Sequence, residues 1–109
     1  MEITKEIIKH EIEIIAKEVA IVESIDDNNK AESVAKLIQV KLESNFKPTA
    51  DYINWITDQV FNNDLHKNSS GSFETAVRDF DNFACGFDLE DNQDLYDYAR
   101  ELFKTNKIF

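Results

Sequence analysis

One proline and two glycines in 109 residues leave this chain little with which to break a helix. Between those breakers the apolar residues recur with a period near 3.6. From residue 3 to residue 23 two apolar stripes run side by side. Ile8, Ile12, Ile15, Val19 and Val22 make the first, and Ile3, Ile7, Ile14, Ile21 and Ile25 make the second. Together they take up about half of a helix circumference, wider than the ~100° stripe of an ordinary surface helix. Such a helix either lies at the centre of a bundle or shares its second stripe with another copy. The central place is the expectation, with a homodimer through helix 1 as the alternative. Its Ile and Val content also makes this the stretch most open to a strand reading.

The polar turn Asp26-Asp27-Asn28-Asn29 can cap a second helix over residues 30–44, with Val34, Leu37, Ile38 and Leu42 inward. Phe46-Lys47-Pro48 should stop it, because proline disfavours helical geometry in the residue before it. Thr49 then caps a third helix over residues 50–61, with Ile53, Ile56 and Val60 on its inner face and Tyr52 or Trp55 at the edge. Residues 62–72 read as a loop. Ser72 is placed to cap a fourth helix over residues 73–85, with Phe73, Ala76, Val77, Phe80, Phe83 and Ala84 on one face. Gly86 followed by Phe87 reads as its C-cap. A fifth helix over residues 92–104 should bury Leu95, Ala99, Leu102 and Phe103.

These patterns predict an all-α fold, a compact single-domain bundle of four to five short helices spanning residues 1–109. Helices 4 and 5 would form a Phe-rich hairpin around Gly86. Every aromatic residue except Phe46 lies beyond residue 51, whereas the earlier part buries aliphatics. With no linker at the change, the two compositions are expected to be halves of one core.

Charge is the second constraint. Twenty-two acidic residues face twelve basic ones, a net charge of −10, and residues 72–104 hold nine acids against three bases. Within that segment Glu90, Asp94, Asp97 and Glu101 follow one another at helical spacing. On a helix they share one face, with about 5–6 Å between neighbouring Cβ atoms. Mutual repulsion opposes such a row, so it suggests a surface kept for a cationic partner. Only Glu101, near Lys104, is expected to be relieved by a cation. Helix 1, by contrast, interleaves Lys5, Lys9 and Lys17 with Glu2, Glu6, Glu11 and Glu13. Asp79, Asp81, Asp88 and Asp91 are near in sequence and would extend the surface. Tyr98, with Tyr96, could supply an aromatic anchor of the kind interfaces favour, although Tyr98 fits a core edge equally well. The plain alternative for the whole row is a solvated helix face.

Net negative charge argues against direct binding to nucleic acid or anionic lipid, both of which need clustered Lys and Arg. No uncharged apolar run approaches the roughly 18–20 residues of a membrane span. The first residues lack the basic-then-apolar layout of a signal peptide. Cys85 is the only cysteine, so no intrachain disulfide can form, and a cytoplasmic location is expected.

Catalytic signatures are missing. His10 falls on an outward helix face and His66 in the loop, without zinc-ligand spacing. Cys85 has no flanking cation to stabilise a thiolate and reads as a small semi-buried residue. A calcium loop needs Gly at its sixth place and Glu at its twelfth. Counted from Asp79 those places hold Ala84 and Glu90; counted from Asp88 they hold Gln93 and Ala99. No enzyme activity, cofactor or metal is therefore expected.

A short, acidic, Asn/Lys/Ile-rich helical chain without catalytic groups resembles the small inhibitors of phages and mobile elements. It also resembles the DNA-mimic proteins that block restriction or CRISPR enzymes. The likeness is one of composition and patterning rather than of a motif. It implies a non-enzymatic inhibitor that fills the nucleic-acid groove of a basic host enzyme with Glu90, Asp94, Asp97, Glu101 and the 79–91 segment. The alternatives are an immunity protein or antitoxin that neutralises a basic toxin, and a dimeric helical assembly module.

Overall fold

The computed structural model describes residues 2–67, 80–106 and 108. Over these residues the fold is all-α. It comprises α1 (Lys5–Glu23), α2 (Lys30–Leu42), α3 (Ala50–Phe61), a one-turn α4 (Asp64–Lys67), α5 (Phe80–Gly86), a 3-10 turn (Leu89–Asp91) and α6 (Gln93–Thr105). Among the described residues there is no strand. No described helix is long and apolar enough to cross a membrane.

Three of the helices start where a side chain takes up a backbone N–H that the helix itself leaves unbonded. Thr4 Oγ1 accepts from the Ile7 amide at 3.3 Å, Thr49 Oγ1 from the Tyr52 amide at 3.1 Å, and Asn92 Oδ1 from the Leu95 amide at 3.2 Å. The 26–29 turn is closed differently. Asp26 N–H donates to Asn29 Oδ1 and Asn28 N–H to Asp26 Oδ1. Asn29 thereby ties the turn together and makes no side-chain capping bond to α2.

The first helix is the axis of the molecule, packing against α2, α4 and α6. Its two ends serve different cores. Near its N-terminus Ile8 and Ile12 join Phe80, Phe83, Ala84, Leu89, Ala99, Phe103 and Ile108. Near its C-terminus Val22, with Ile25 just beyond, joins Val34, Leu37, Ile56, Val60 and Leu65. Ile15 packs against both clusters. The molecule is accordingly elongated, 43 × 25 × 18 Å. In the first core the rings meet mostly edge to face: Phe80 and Phe83 each lie 5.1 Å from Phe103, and Phe80 lies 5.0 Å from Tyr96.

Several expectations are corrected. Ile14 and Ile25 of the second stripe are buried inside the chain itself, and Ile3, Ile7 and Ile21 are half-buried. The second helix ends at Leu42, and Leu42 is exposed while Ser44 turns inward. The physical reason is Glu11, a carboxylate in the α1–α2 seam that needs a hydroxyl donor rather than an apolar neighbour. The 62–72 segment is not wholly loop, because α4 forms within it and Leu65 is fully buried.

Gly86 is the last residue of α5 and not a left-handed cap. Asp88, with φ 54°, takes that conformation, while the Phe87 and Asp88 amides donate to the Phe83 and Cys85 carbonyls. Asp is one of the few non-glycine residues that tolerates it. Cys85 is exposed rather than semi-buried, because Phe80, Phe83 and Ala84 claim the inner face of α5. The expected Ser72 cap and the inward Phe73, Ala76 and Val77 lie outside the described residues.

Candidate acidic binding surface

The four-residue acidic row does not lie on one helix. Asp94, Asp97 and Glu101 are on α6, opposite the face that buries Ala99 and Phe103. Glu90 belongs to the preceding 3-10 turn, beside Asp91, and Asn92 separates the two elements with extended backbone. Asp88 stands just before that turn. The surface is therefore a bend followed by a helix face, with Asp88, Glu90, Asp91, Asp94, Asp97 and Glu101 all exposed. Asp81 belongs to α5, and Asp79 lies outside the described residues.

Counterions are nearer than the sequence reading held. Lys104 follows Glu101 by three residues, and Arg100 follows Asp97 by the same interval, a cation that reading left out. Neither closes an ion pair with the row among the described residues. Asp97 instead accepts a hydrogen bond from Gln93 Nε2 at 2.8 Å. Tyr98, expected as an anchor, is half-buried against the aromatic core. Its ring is covered by Lys5 Nζ, 5.4 Å from the centroid. Tyr96 is also half-buried and stacks on Phe80.

The other half of the molecule treats its charges differently. Lys17 pairs with Glu43 at 3.4 Å, Lys30 with Asp27 at 3.3 Å, Lys36 with Glu32 at 3.0 Å, and Lys41 with Glu18 at 3.8 Å. Two of its carboxylates are buried, Glu11 and Glu18. The sequence pattern sets Glu11 among the helix 1 acids interleaved with lysines and does not single out Glu18. A signal was present: at about 100° per residue both fall between the two apolar stripes, seven residues apart, in the middle of the buried face.

Glu11 is fully engaged. Its Oε1 accepts from Ser44 Oγ, and its Oε2 accepts from the Asn45 amide at 3.1 Å and from Asn45 Nδ2 at 3.3 Å. Ser44 Oγ in turn accepts from the Phe46 amide at 2.9 Å. The carboxylate thus fixes the turn that follows α2. His10, which looked outward in the sequence, donates from Nε2 to the Glu43 carbonyl at 2.6 Å and pins the same turn.

Glu18 is less well provided. Its Oε1 has no hydrogen-bond partner, and the Lys41 ammonium stands 3.8 Å away. Burial pushes its carboxyl above the ordinary value; the Lys41 charge opposes that shift and the Glu11 charge adds to it. Tyr52, over whose ring Lys41 lies at 5.8 Å, is raised as well, by burial and by the Glu18 charge.

Among the described residues no group of three or more His, Cys, Asp or Glu side chains converges as a metal site would require. A shallow hollow lined by Glu13, Ala16, Lys17, Ala20 and Asn106 opens on the outer side of α1, and it holds no titratable pair aimed into an enclosed space. No known family, curated protein or solved structure matches the chain.

Proposed function

We propose that this chain is a non-enzymatic cytoplasmic inhibitor that binds a basic host protein. It occupies the Lys/Arg groove of a nucleic-acid enzyme with the acidic surface of residues 88–101, in the manner of an anti-CRISPR or anti-restriction DNA mimic of phage or mobile-element type. One observation carries this reading. Six exposed carboxylates follow one another from Asp88 to Glu101 with no ion pair among the described residues, whereas Glu18, Asp27, Glu32 and Glu43 each have a lysine partner. Like charges left unrelieved on a helix cost stability, and that cost is offset when a cationic surface closes over them. A carboxylate row of this scale competes for the same side chains that grip phosphates.

Binding of this kind steers encounter and weakens with salt. The test is affinity capture from host lysate at low and high salt, read by mass spectrometry, with Asp94→Lys/Asp97→Lys run beside the wild type. The expected result is one basic nucleic-acid enzyme, released at high salt and missed by the variant. The wild-type chain should also displace a labelled duplex from that enzyme. A variant that keeps its helical circular dichroism and still captures the same protein would remove the acidic surface from the mechanism.

A further inference from the structure

Phe46 is nearly half exposed, at 46%. It is nevertheless held in place. Its amide bonds to Ser44 Oγ, which Glu11 anchors from within the α1–α2 seam. Its ring meets Phe87 edge to face at 5.3 Å. Phe87 reaches inward to Phe83 at 4.6 Å, and the next residue in the chain is the exposed Asp88. An exposed aromatic ring is thus supported by Phe87, next in the chain to the first residue of the acidic surface, and that support continues into the core.

The charges around it indicate what would cover it. Elsewhere the chain lays its own cations on partly exposed rings, Lys5 on Tyr98 and Lys41 on Tyr52. Among the described residues none lies over Phe46. The neighbouring Lys47 turns its ammonium to the Leu42 carbonyl, and Lys17 is engaged with Glu43. An exposed ring that rests on Phe87, the residue before the unpaired Asp88, suits a group that is both flat and cationic. Guanidinium fits this better than ammonium, because it stacks on a ring face while its edge donates two parallel hydrogen bonds to a carboxylate. We infer that Phe46, supported by Phe87, is a docking platform for an arginine side chain of a basic protein partner, with Asp88 and the 3-10 turn carboxylates receiving the same cationic surface. This rests on the acidic-surface reading above and names the side chain that the surface selects.

The test uses the full chain, isotope-labelled for NMR, titrated with hexa-arginine and with hexa-lysine at equal ionic strength. Both peptides should shift the amides of residues 88–101. Hexa-arginine alone should perturb the Phe46 and Phe87 ring signals, and it should bind about 2–5-fold more tightly, the range of an exposed cation–π contact. Phe46→Leu, which keeps an apolar side chain without a π face, should abolish that preference and leave hexa-lysine binding unchanged. Phe46→Ala is the second variant should Leu disturb the turn, with circular dichroism checking the fold of both. Equal affinity for the two peptides, or a preference that survives loss of the ring, overturns the platform and leaves the acidic surface standing. Loss of shifts over residues 88–101 with both peptides overturns the acidic surface itself. Concentration-dependent broadening at Phe46 without peptide would assign the ring to a second copy of this chain and overturn the arginine partner.

Discussion

The two ends of α1 are packed by opposite means. Around Val22 the core is aliphatic, and four acids of that half, Glu18, Asp27, Glu32 and Glu43, are paired with lysines. Around Ile8 and Ile12 the core is built of stacked phenylalanines, and the acids outside it are bare. Edge-to-face rings supply large buried areas from few residues, so the short α5 and the 3-10 turn can hold their place against α1 and α6. That economy leaves the outer face of α6 free of packing duties. The aliphatic half relieves four of its acids with its own lysines, whereas the carboxylates from Asp88 to Glu101 have no such partner among the described residues.

The sharpest way to break this contrast is to hollow each core in turn. Phe103→Ala should cost about 3–5 kcal/mol and Leu37→Ala about 2–5 kcal/mol, since both side chains are fully buried. Guanidinium melts followed by Trp55 fluorescence, which reports the aliphatic half, and by helical circular dichroism should still coincide for each variant. Separated transitions would show that Ile15 and the α1 backbone do not join the two cores into one cooperative unit.

A smaller effect is expected in the polar seam. Glu11→Ala strips three hydrogen bonds from the 44–45 turn and leaves Ser44 buried without its acceptor. The loss should be about 2–3 kcal/mol in a urea titration. Glu18→Gln should act in the other direction. A carboxyl raised by burial contributes stability that is complete below its unfolded value and is lost as pH rises through the higher folded value. Wild-type Tm should therefore fall through this group as pH rises above the ordinary carboxylate range, against the pull of Lys41 and with the push of Glu11. The Gln variant should flatten that dependence and melt higher at pH 7. A variant that melts lower at every pH would mean that the Lys41 pair outweighs the burial cost.

The smallest pair of changes tests the surfaces. Glu32→Gln removes an i,i+4 partner from Lys36 and should cost about 0.3–0.5 kcal/mol at low salt. Glu101→Gln relieves repulsion with Asp97 near the C-terminal end of α6 and should gain about 0.2–0.5 kcal/mol. Both effects should shrink at 1 M salt. Equal signs in thermal melts would erase the electrostatic contrast between the halves.

Much of the fold was legible because local chemistry and periodicity agreed. Pro48 and Thr49 delimit α3 without help from the rest of the chain, and the face of α6 that buries Ala99 and Phe103 follows from spacing alone. The misreadings arose where a distant partner overrules local pattern. Leu42 looks inward on a helical wheel, yet Ser44 turns in because Glu11, 33 residues earlier, accepts its hydroxyl. Gly86 looks like a cap, yet the left-handed residue is Asp88, since Phe87 must first reach Phe83. For the candidate surface, the exposure of the carboxylates was readable from composition. The break at Asn92 and the support of Phe46 by Phe87 were not, because both depend on how α5 returns to α6.

Because α1 precedes everything it packs against, the order of synthesis separates the two cores in time. Among the described residues, the aliphatic cluster has all its buried members once Leu65 has been added to the growing chain. Ile8 and Ile12 must wait for Phe80, Phe103 and finally Ile108, whose amide donates to the Phe103 carbonyl. For that interval the N-terminal half of α1 is an apolar helix face without cover. The nascent chain is therefore most vulnerable to chaperone capture or aggregation before Phe103 and Ile108 arrive.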